Sequence, residues 1–143
     1  MRITQLLGRK GADVATVQAG DSVRDALAVM AGRGIGALVV SSDGRRVEGI
    51  LSERDIARGL HERGAVLLTE PVSGVMTAEV HTCRPDASVD ELAVLMTDRR
   101  VRHVPVVDDG VLVGIVSIGD VVKARLDELE TERAQLVDYI QTS

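Results

Sequence analysis

The sequence predicts an α/β (α+β) fold in which two pseudo-symmetric β-α-β-β-α repeats are followed by a long C-terminal helix. Internal repetition is the first observation: at an offset of 66 residues the chain matches itself, with Ser22 on Ser88 and Met30 on Met96. The second is a pattern, Gly-Ile-x-Ser-x-x-Asp, that occurs at 49–55 and again at 114–120. Such a repeat indicates a two-fold pseudo-symmetric binding module rather than a single catalytic centre.

Length and composition limit the possible classes of protein. With 143 residues, 45% hydrophobic and 27% charged, the two repeats are expected to share one folded unit. No apolar run approaches the 18 or so residues that span a bilayer. The first ten residues lack the apolar core of a signal peptide. The single Cys83 excludes an internal disulfide framework. We therefore expect a cytoplasmic protein with no membrane partner.

The charge argues against nucleic-acid binding. The net charge is −5 and the pI is about 5.2, whereas nucleic-acid backbones are bound by clustered cations. Tyr139 is the only aromatic residue, so single-stranded bases have no stacking platform. A purine ligand would have to be sandwiched between aliphatic side chains.

The predicted segments follow from the repeat. They are an N-terminal lead at 1–13, repeat one at 14–60, a connection at 61–79 with Pro71 and Gly74, repeat two at 80–122, and a C-terminal helix at 123–143.

Each repeat is expected to open with a short extended piece and a capped helix. The extended pieces are 14–17 and 80–83. Ser22 and Ser88 each precede an acid by three residues, the spacing of a capping box, and apolar residues follow at helical spacing. These apolar residues are expected in the core.

A β-hairpin should follow each of these helices. Runs at 37–40 and 47–51 flank Asp43-Gly44, and runs at 103–107 and 111–116 flank Asp109-Gly110, a strong hairpin signal. Pro105 cannot donate to a ladder, so it should lie at an edge or face a cavity.

The C-terminal helix carries an apolar seam. Val122, Leu129 and Leu136 recur every seven residues, and Leu126, Arg133 and Ile140 fill the alternate register. Two interpretations stay open: packing on the chain's own repeats, or pairing with a second copy. For a homodimer, Arg133 should meet Glu130 or Glu132 of the other copy.

The two Ser-x-x-Asp segments also have two interpretations. Ser52 to Asp55 and Ser117 to Asp120 have the form of capping boxes and need no ligand to explain them. A helix N-terminus also attracts phosphate, and an aspartate there can accept hydrogen bonds from ribose hydroxyls.

The doubled pattern resembles a tandem pair of cystathionine-β-synthase (CBS) domains, a Bateman module, over Val14 to Val122. The resemblance rests on a Thr before a capped helix, a strand with His-Val-Pro-Val-Val-Asp, and Gly-Ile-x-Ser-x-x-Asp, in this order and repeated. The chain is similar to small stand-alone bacterial CBS-pair proteins.

The resemblance implies a regulatory module, not an enzyme, that binds AMP, ATP, NAD(H) or S-adenosylmethionine between the repeats. It implies that Asp55 and Asp120 take the ribose and that Arg102 lies near phosphate. The other implied ligand-binding residues are Thr16, Ala37, Val39, Ser52, Arg54, Thr82, His103, Pro105 and Ser117.

The repeats are not identical at these positions. Gly36-Ala37 in repeat one stands where repeat two has Arg102-His103, so phosphate affinity is expected to come from repeat two. In this interpretation Arg102 and Asp120 serve one ligand, and Asp55 serves a second site.

Other patterns are weaker. Residues 32–37 match G-x-G-x-x-A but close a helix instead of opening one, so a C-cap is favoured over a dinucleotide site. His81 and Cys83 lack a second pair of metal ligands, so no metal site is expected, and the three histidines suggest no catalytic set. The basic cluster 99–103 is either a solvated helix end or a phosphate site.

The alternative function is an unliganded dimerisation scaffold that regulates an unknown protein partner.

Overall fold

The computed structural model describes residues 1–142 and has the predicted mixture of helices and small sheets. The helices are α1 (Ile3–Lys10), α2 (Val23–Arg33), α3 (Glu53–Arg63), α4 (Val89–Arg99) and α5 (Ile118–Thr142). The strands are β1 (Thr16–Val17), β2 (Ala37–Val40), β3 (Gly49–Ser52), β4 (His103–Asp108) and β5 (Val111–Ser117), and two 3-10 turns (Gly64–Thr69, Val72–Gly74) join the repeats.

The predicted helix starts are confirmed. Ser22 Oγ accepts from the N–H of Asp25 at 3.1 Å, and Ser88 Oγ accepts from the N–H of Glu91 at 3.0 Å. The glycine-rich stretch after α2 is a C-cap as expected, because Gly34 has a left-handed φ of 64°.

The sheets differ between the repeats. In repeat one, β2 lies between β1, which is parallel to it, and β3, which is antiparallel. In repeat two, β4 and β5 form an antiparallel pair, joined by the predicted two-residue turn Asp109-Gly110, and the extended piece at 80–83 makes only one bridge, from Cys83 to Val106.

Pro105 accounts for this difference. In repeat one the N–H of Val39 donates to the carbonyl of Ala15 at 3.3 Å, and Pro105 occupies the position of Val39 without an N–H. Its carbonyl faces the opening segment and accepts from Cys83 at 3.1 Å, so the missing donor also lies on that side. The proline therefore sits beside the weakly paired edge, as predicted.

Two hydrophobic clusters form the core, one for each repeat. Repeat one buries Leu67 and Val72 from the connection, and repeat two buries side chains of α1. The glycines of the doubled motif allow these approaches. A methyl group on Gly49 would lie 2.6 Å from Met76 Sδ, and one on Gly114 would lie 2.8 Å from both Leu7 methyl groups. The predicted N-terminal lead is thus a helix of the second core.

The apolar seam of α5 lies outside both clusters. Val121 and Ala124 are buried, but Val122, Leu129 and Leu136 are 52%, 46% and 63% exposed. Along 1–142, no helix has the length and apolarity that crossing a bilayer requires.

Candidate functional site

Two clefts lie between the repeats. Each combines the start of a helix from one repeat with a strand entry from the other, meaning the residues that lead into β2 (33–37) or into β4 (100–103). Cleft 1, of about 320 Å³, joins the start of α3 to 100–103 of repeat two and to 79–81, where the connection meets repeat two. Cleft 2, of about 590 Å³, joins the start of α5 to 33–37 and 13–15 near repeat one, and Lys10 also lines it. Both volumes are typical of small-molecule sites.

Backbone hydrogen bonds within each repeat fix the start of its hairpin at these clefts. The N–H of Glu53 donates to the carbonyl of Gly36 at 3.0 Å within repeat one, and at the matching position in repeat two Ile118 donates to Arg102 at 2.8 Å. Each strand entry is thereby fixed against the helix start of its own repeat, and its outer side faces the helix start of the other repeat.

The helix start in cleft 1 is a complete capping box. Asp55 Oδ2 accepts from the backbone N–H and the hydroxyl of Ser52, both at 3.0 Å, and the N–H of Asp55 donates to Ser52 Oγ at 3.2 Å. Asp55 Oδ1 accepts a long hydrogen bond of 3.3 Å from the hydroxyl of Thr77. The carboxylate is half-buried and has neutral donors only.

The helix start in cleft 2 has the same box and an additional cation. The N–H of Ser117 donates to Asp120 Oδ2 at 2.8 Å, and the Lys10 ammonium lies 2.8 Å from the same oxygen. Burial alone would raise the pKa of Asp120, but the hydrogen bonds from Lys10 and Ser117 outweigh it and lower the pKa below its usual value. Asp120 is therefore an ionised, paired carboxylate.

Cleft 1 carries a cluster of arginines. Arg54 and Arg58 project from α3, and Arg100 and Arg102 come from repeat two. Within residues 1–142, none of these four guanidinium groups forms an ion pair. Cleft 1 thus has four free groups with the planar donor geometry that matches phosphate oxygens.

His103 lines both clefts. A methyl group added to Gly36 would contact its Cε1 at 3.5 Å, so the ring lies against the strand entry of repeat one. Burial lowers the pKa of His103, and the nearby carboxylates of Asp120 and Glu53 offset this only in part. The ring is neutral at pH 7 and offers one donor and one acceptor.

The structure brings most of the predicted ligand-binding residues into the clefts. Ser52, Arg54, Asp55, Arg102 and His103 line cleft 1, and Ala37, His103, Ser117 and Asp120 line cleft 2.

Four predicted residues lie elsewhere. Val39 and Pro105 are buried, Thr16 is half-buried in β1, and Thr82 lines a separate groove with Leu95 and Val107. Val39 and Pro105 are buried outside both core clusters, because they alternate along their strands with core residues and so point to the opposite face of the sheet.

One predicted pairing is wrong. Arg102 shares a cleft with Asp55 and not with Asp120, because each strand entry faces the helix start of the other repeat. Arg100 and Arg102 of repeat two therefore share a cleft with the carboxylate of repeat one.

Sequence reasoning missed several cleft residues, among them Arg58, Arg100, Lys10 and Thr77. Arg58 lies one helical turn after Arg54, so helical spacing could have identified it. Arg100 belongs to the basic cluster 99–103 and could have been identified with it. Lys10 and Thr77 come from the segments ahead of the two repeats, and their roles depend on packing across the fold. Among residues 1–142, no three His, Cys, Asp or Glu side chains group as metal ligands.

Comparisons with known proteins agree with this geometry. A family model described as CBS domain matches residues 9–62 and again 72–127. The CBS domain-containing protein CBSX3, mitochondrial, from Arabidopsis thaliana is 40% identical over 125 residues, which are 85% of this chain and 61% of that protein. The chain therefore spans less than two thirds of that relative's length.

Solved structures show the same fold. A CBS-domain containing protein from Agrobacterium tumefaciens is 44% identical with a TM-score of 0.84, and the match covers 87% of this chain and 99% of that chain. The CBS domain pair of protein MJ0100, in complex with 5′-methylthioadenosine and S-adenosyl-L-methionine, is 25% identical with a TM-score of 0.79, covering 90% and 98%.

Proposed function

The chain belongs to the CBS-domain family as a tandem pair, and from this premise we propose that it is a regulatory module that binds an adenosine-containing nucleotide in cleft 1. CBS pairs are regulatory modules, and one structural neighbour holds adenosine-containing ligands. AMP, ATP and NAD(H) are the proposed ligands of this chain. We propose no catalysis.

The observation that carries the proposal is the combination of an acceptor carboxylate with unpaired arginines in one cleft. Asp55 is positioned by Ser52 and has only neutral hydrogen-bond donors, so ribose hydroxyls can join them. Arg54, Arg58 and Arg102 supply charge-assisted donors for phosphate in the same cleft. A ribose-5-phosphate unit needs these two kinds of group side by side.

Aliphatic side chains supply the surface for the base. Ile50, Val80 and Val101 line cleft 1, and no Phe, Tyr or Trp side chain lies there. A purine would therefore lie between apolar side chains, with its edge read by backbone groups. This arrangement suits a flat, largely apolar base.

Regulation follows from a ligand that touches both repeats. Cleft 1 is lined by α3 of repeat one and by 100–103 of repeat two, so its occupant stabilises one relative orientation of the two. The ligand shifts the equilibrium between two orientations of the repeats by as much as its affinity for them differs. The regulated partner is a separate protein in this proposal.

Ligand binding tests the proposal. At a hundredfold excess over its dissociation constant, a ligand should stabilise the native state by about 2.7 kcal/mol. We expect thermal melts to rise with AMP, ATP or NAD(H), and the chain's one Tyr and absent Trp make co-purified adenine visible as absorbance at 260 nm. Melts unchanged by millimolar amounts of all three and of S-adenosylmethionine would contradict it.

A dimerisation scaffold is the second candidate, and the exposed seam of α5 favours it. Val122, Leu129 and Leu136 lie on the surface of the described chain, so a second copy is proposed to cover them. Arg133 already lies 3.8 Å from Glu130 of its own chain, and this exposed pair is free to exchange partners. The scaffold differs from the nucleotide sensor in needing no ligand.

Location and chemistry complete the proposal. The single Cys83 is a free thiol, which suits a reducing compartment, and we propose the cytoplasm. Incubation with ATP or NAD(H) should leave both intact, and turnover would contradict a purely regulatory role.

A further inference from the structure

The two clefts differ in the group that meets the carboxylate. In cleft 1, the N–H of Thr77 donates to the carbonyl of Ile50 at 2.9 Å, and its hydroxyl donates to Asp55 at 3.3 Å. In cleft 2, the ammonium of Lys10 makes both equivalent contacts: 2.6 Å to the carbonyl of Ile115 and 2.8 Å to Asp120. A single cation thus replaces two neutral donors at matching positions of the repeat.

The fold holds Lys10 in this position. Ile3, Leu6 and Leu7 of the same helix are buried in the core of repeat two, and the N–H of Ile3 donates to the carbonyl of Ala87 at 2.9 Å. The Lys10 side chain is only 29% exposed. The packing of α1 therefore places the Lys10 ammonium in cleft 2 when no ligand is bound.

We propose that Lys10 competes with the ligand for Asp120, so that cleft 1 fills first and cleft 2 fills only when Lys10 leaves this carboxylate. The proposal rests on the nucleotide-binding function above and adds an order of filling. Ribose hydroxyls are neutral donors, and at Asp120 they compete with the Lys10 ammonium, a charge-assisted donor to Oδ2, whereas at Asp55 they compete only with the neutral donors of Ser52 and Thr77. Cleft 2 is consequently the weaker site for a nucleoside.

Release of Lys10 would also change contacts elsewhere in repeat two. Lys10 is the last residue of α1, and α1 packs in the same core as Val121 and Ala124 of α5. Occupation of cleft 2 would remove two of the contacts that hold the end of α1. Filling of cleft 2 therefore changes the contacts at the end of α1, whereas filling of cleft 1 leaves them in place.

Calorimetry with adenosine isolates the competition, because adenosine carries no phosphate that Lys10 might attract. The Asp55→Ala background removes the ribose acceptor of cleft 1. In that background Lys10→Met should strengthen adenosine binding about fivefold, the factor that corresponds to about 1 kcal/mol for a partly exposed ion pair. Arg9→Met, which removes the same charge from the same helix turn outside cleft 2, should leave the affinity unchanged.

Lysine labelling provides a second measurement that needs no affinity fit. The chain has two lysines, Lys10 and Lys123, so mass spectrometry after mild acetylation compares them within one sample. Lys10 should react more slowly than Lys123 in the free protein and faster when saturating adenosine displaces it. Slower labelling of Lys10 with adenosine would overturn the proposal, since Lys10 would then contact the ligand.

The outcomes separate this proposal from the one on which it depends. Adenosine binding to the wild type, with equal cleft 2 affinity in Lys10→Met, overturns the competition and leaves nucleotide binding intact. An absence of adenosine and AMP binding in every variant overturns both. Thermal melts of each variant without ligand identify a loss of folding.

Discussion

Replacement of Arg102 by alanine tests whether cleft 1 binds phosphate. Arg102 lines this cleft together with Asp55, and no carboxylate within 1–142 neutralises it. A hydrogen bond between charged groups is worth about 1.5–3 kcal/mol, and the exposed position of Arg102 places it at the lower end. We therefore expect about a tenfold weaker affinity for AMP and less than a twofold change for adenosine.

Matched variants make the measurement specific. Arg99→Ala removes the same charge from the same basic segment but does not line cleft 1, so AMP affinity should stay within twofold of the wild type. Asp55→Ala should weaken AMP and adenosine alike, since both carry ribose, and Asp120→Ala should leave binding in cleft 1 unchanged. Asp55→Asn helps to separate the cap from the ligand site, because it retains hydrogen bonding at the helix start.

Calorimetric titration in low and high salt decides the matter. The difference between AMP and adenosine should shrink as salt rises, because the Debye length falls from about 30 Å at 0.01 M to about 3 Å at 1 M. Equal losses of AMP and adenosine affinity in Arg102→Ala, or no loss of either, would refute the phosphate assignment.

Three further predictions concern other parts of the molecule. Leu129→Glu should convert a dimer to a monomer in light scattering at tens of micromolar, while Val66→Glu, at an exposed apolar site outside α5, should not; a monomeric wild type would contradict this. Burial raises the pKa of Cys83 to about 11, so at pH 8 only roughly one thiol in a thousand is ionised, and a thiol reagent should react far more slowly with native than with unfolded protein; equal rates would count against it. Backbone N–H groups of Arg46 and Arg45 lower the pKa of Asp43 to about 2, so its stabilising contribution is complete above about pH 4 and lost as pH falls towards 2; thermal melts of Asp43→Asn should be less sensitive over this interval, and parallel curves would disprove it.

Local features of the fold followed from the sequence. The serines that cap α2 and α4, the turn at Asp109-Gly110 and the edge position of Pro105 all depend on residues within a few positions of one another. The spacing of residues along the chain is enough to predict such local features. The repeat also predicted α3 and the start of α5, but it did not predict α1 or the two 3-10 turns between the repeats.

The relation between the repeats did not follow from the sequence. Periodicity cannot tell which helix start faces which strand entry, so Arg102 was paired with Asp120 when it lies with Asp55. The role of Lys10 depends on α1 packing against repeat two, which is encoded by apolar residues far apart in the chain. One signal was available: the repeat offset aligns 7–11 with 73–77, the two segments that enter the clefts.

The packing of α1 also has a consequence for synthesis on the ribosome. Its apolar residues Ile3, Leu6 and Leu7 are made about a hundred residues before their partners Leu92, Val104 and Val116. At 5–20 residues per second, the nascent helix waits roughly 5–20 s with its apolar face uncovered. A contact between residues 3 and 87 is also costly in loop entropy, so closing the second core should come late in folding. The emerging chain is therefore most exposed to aggregation, and most in need of a chaperone, while repeat one is already complete.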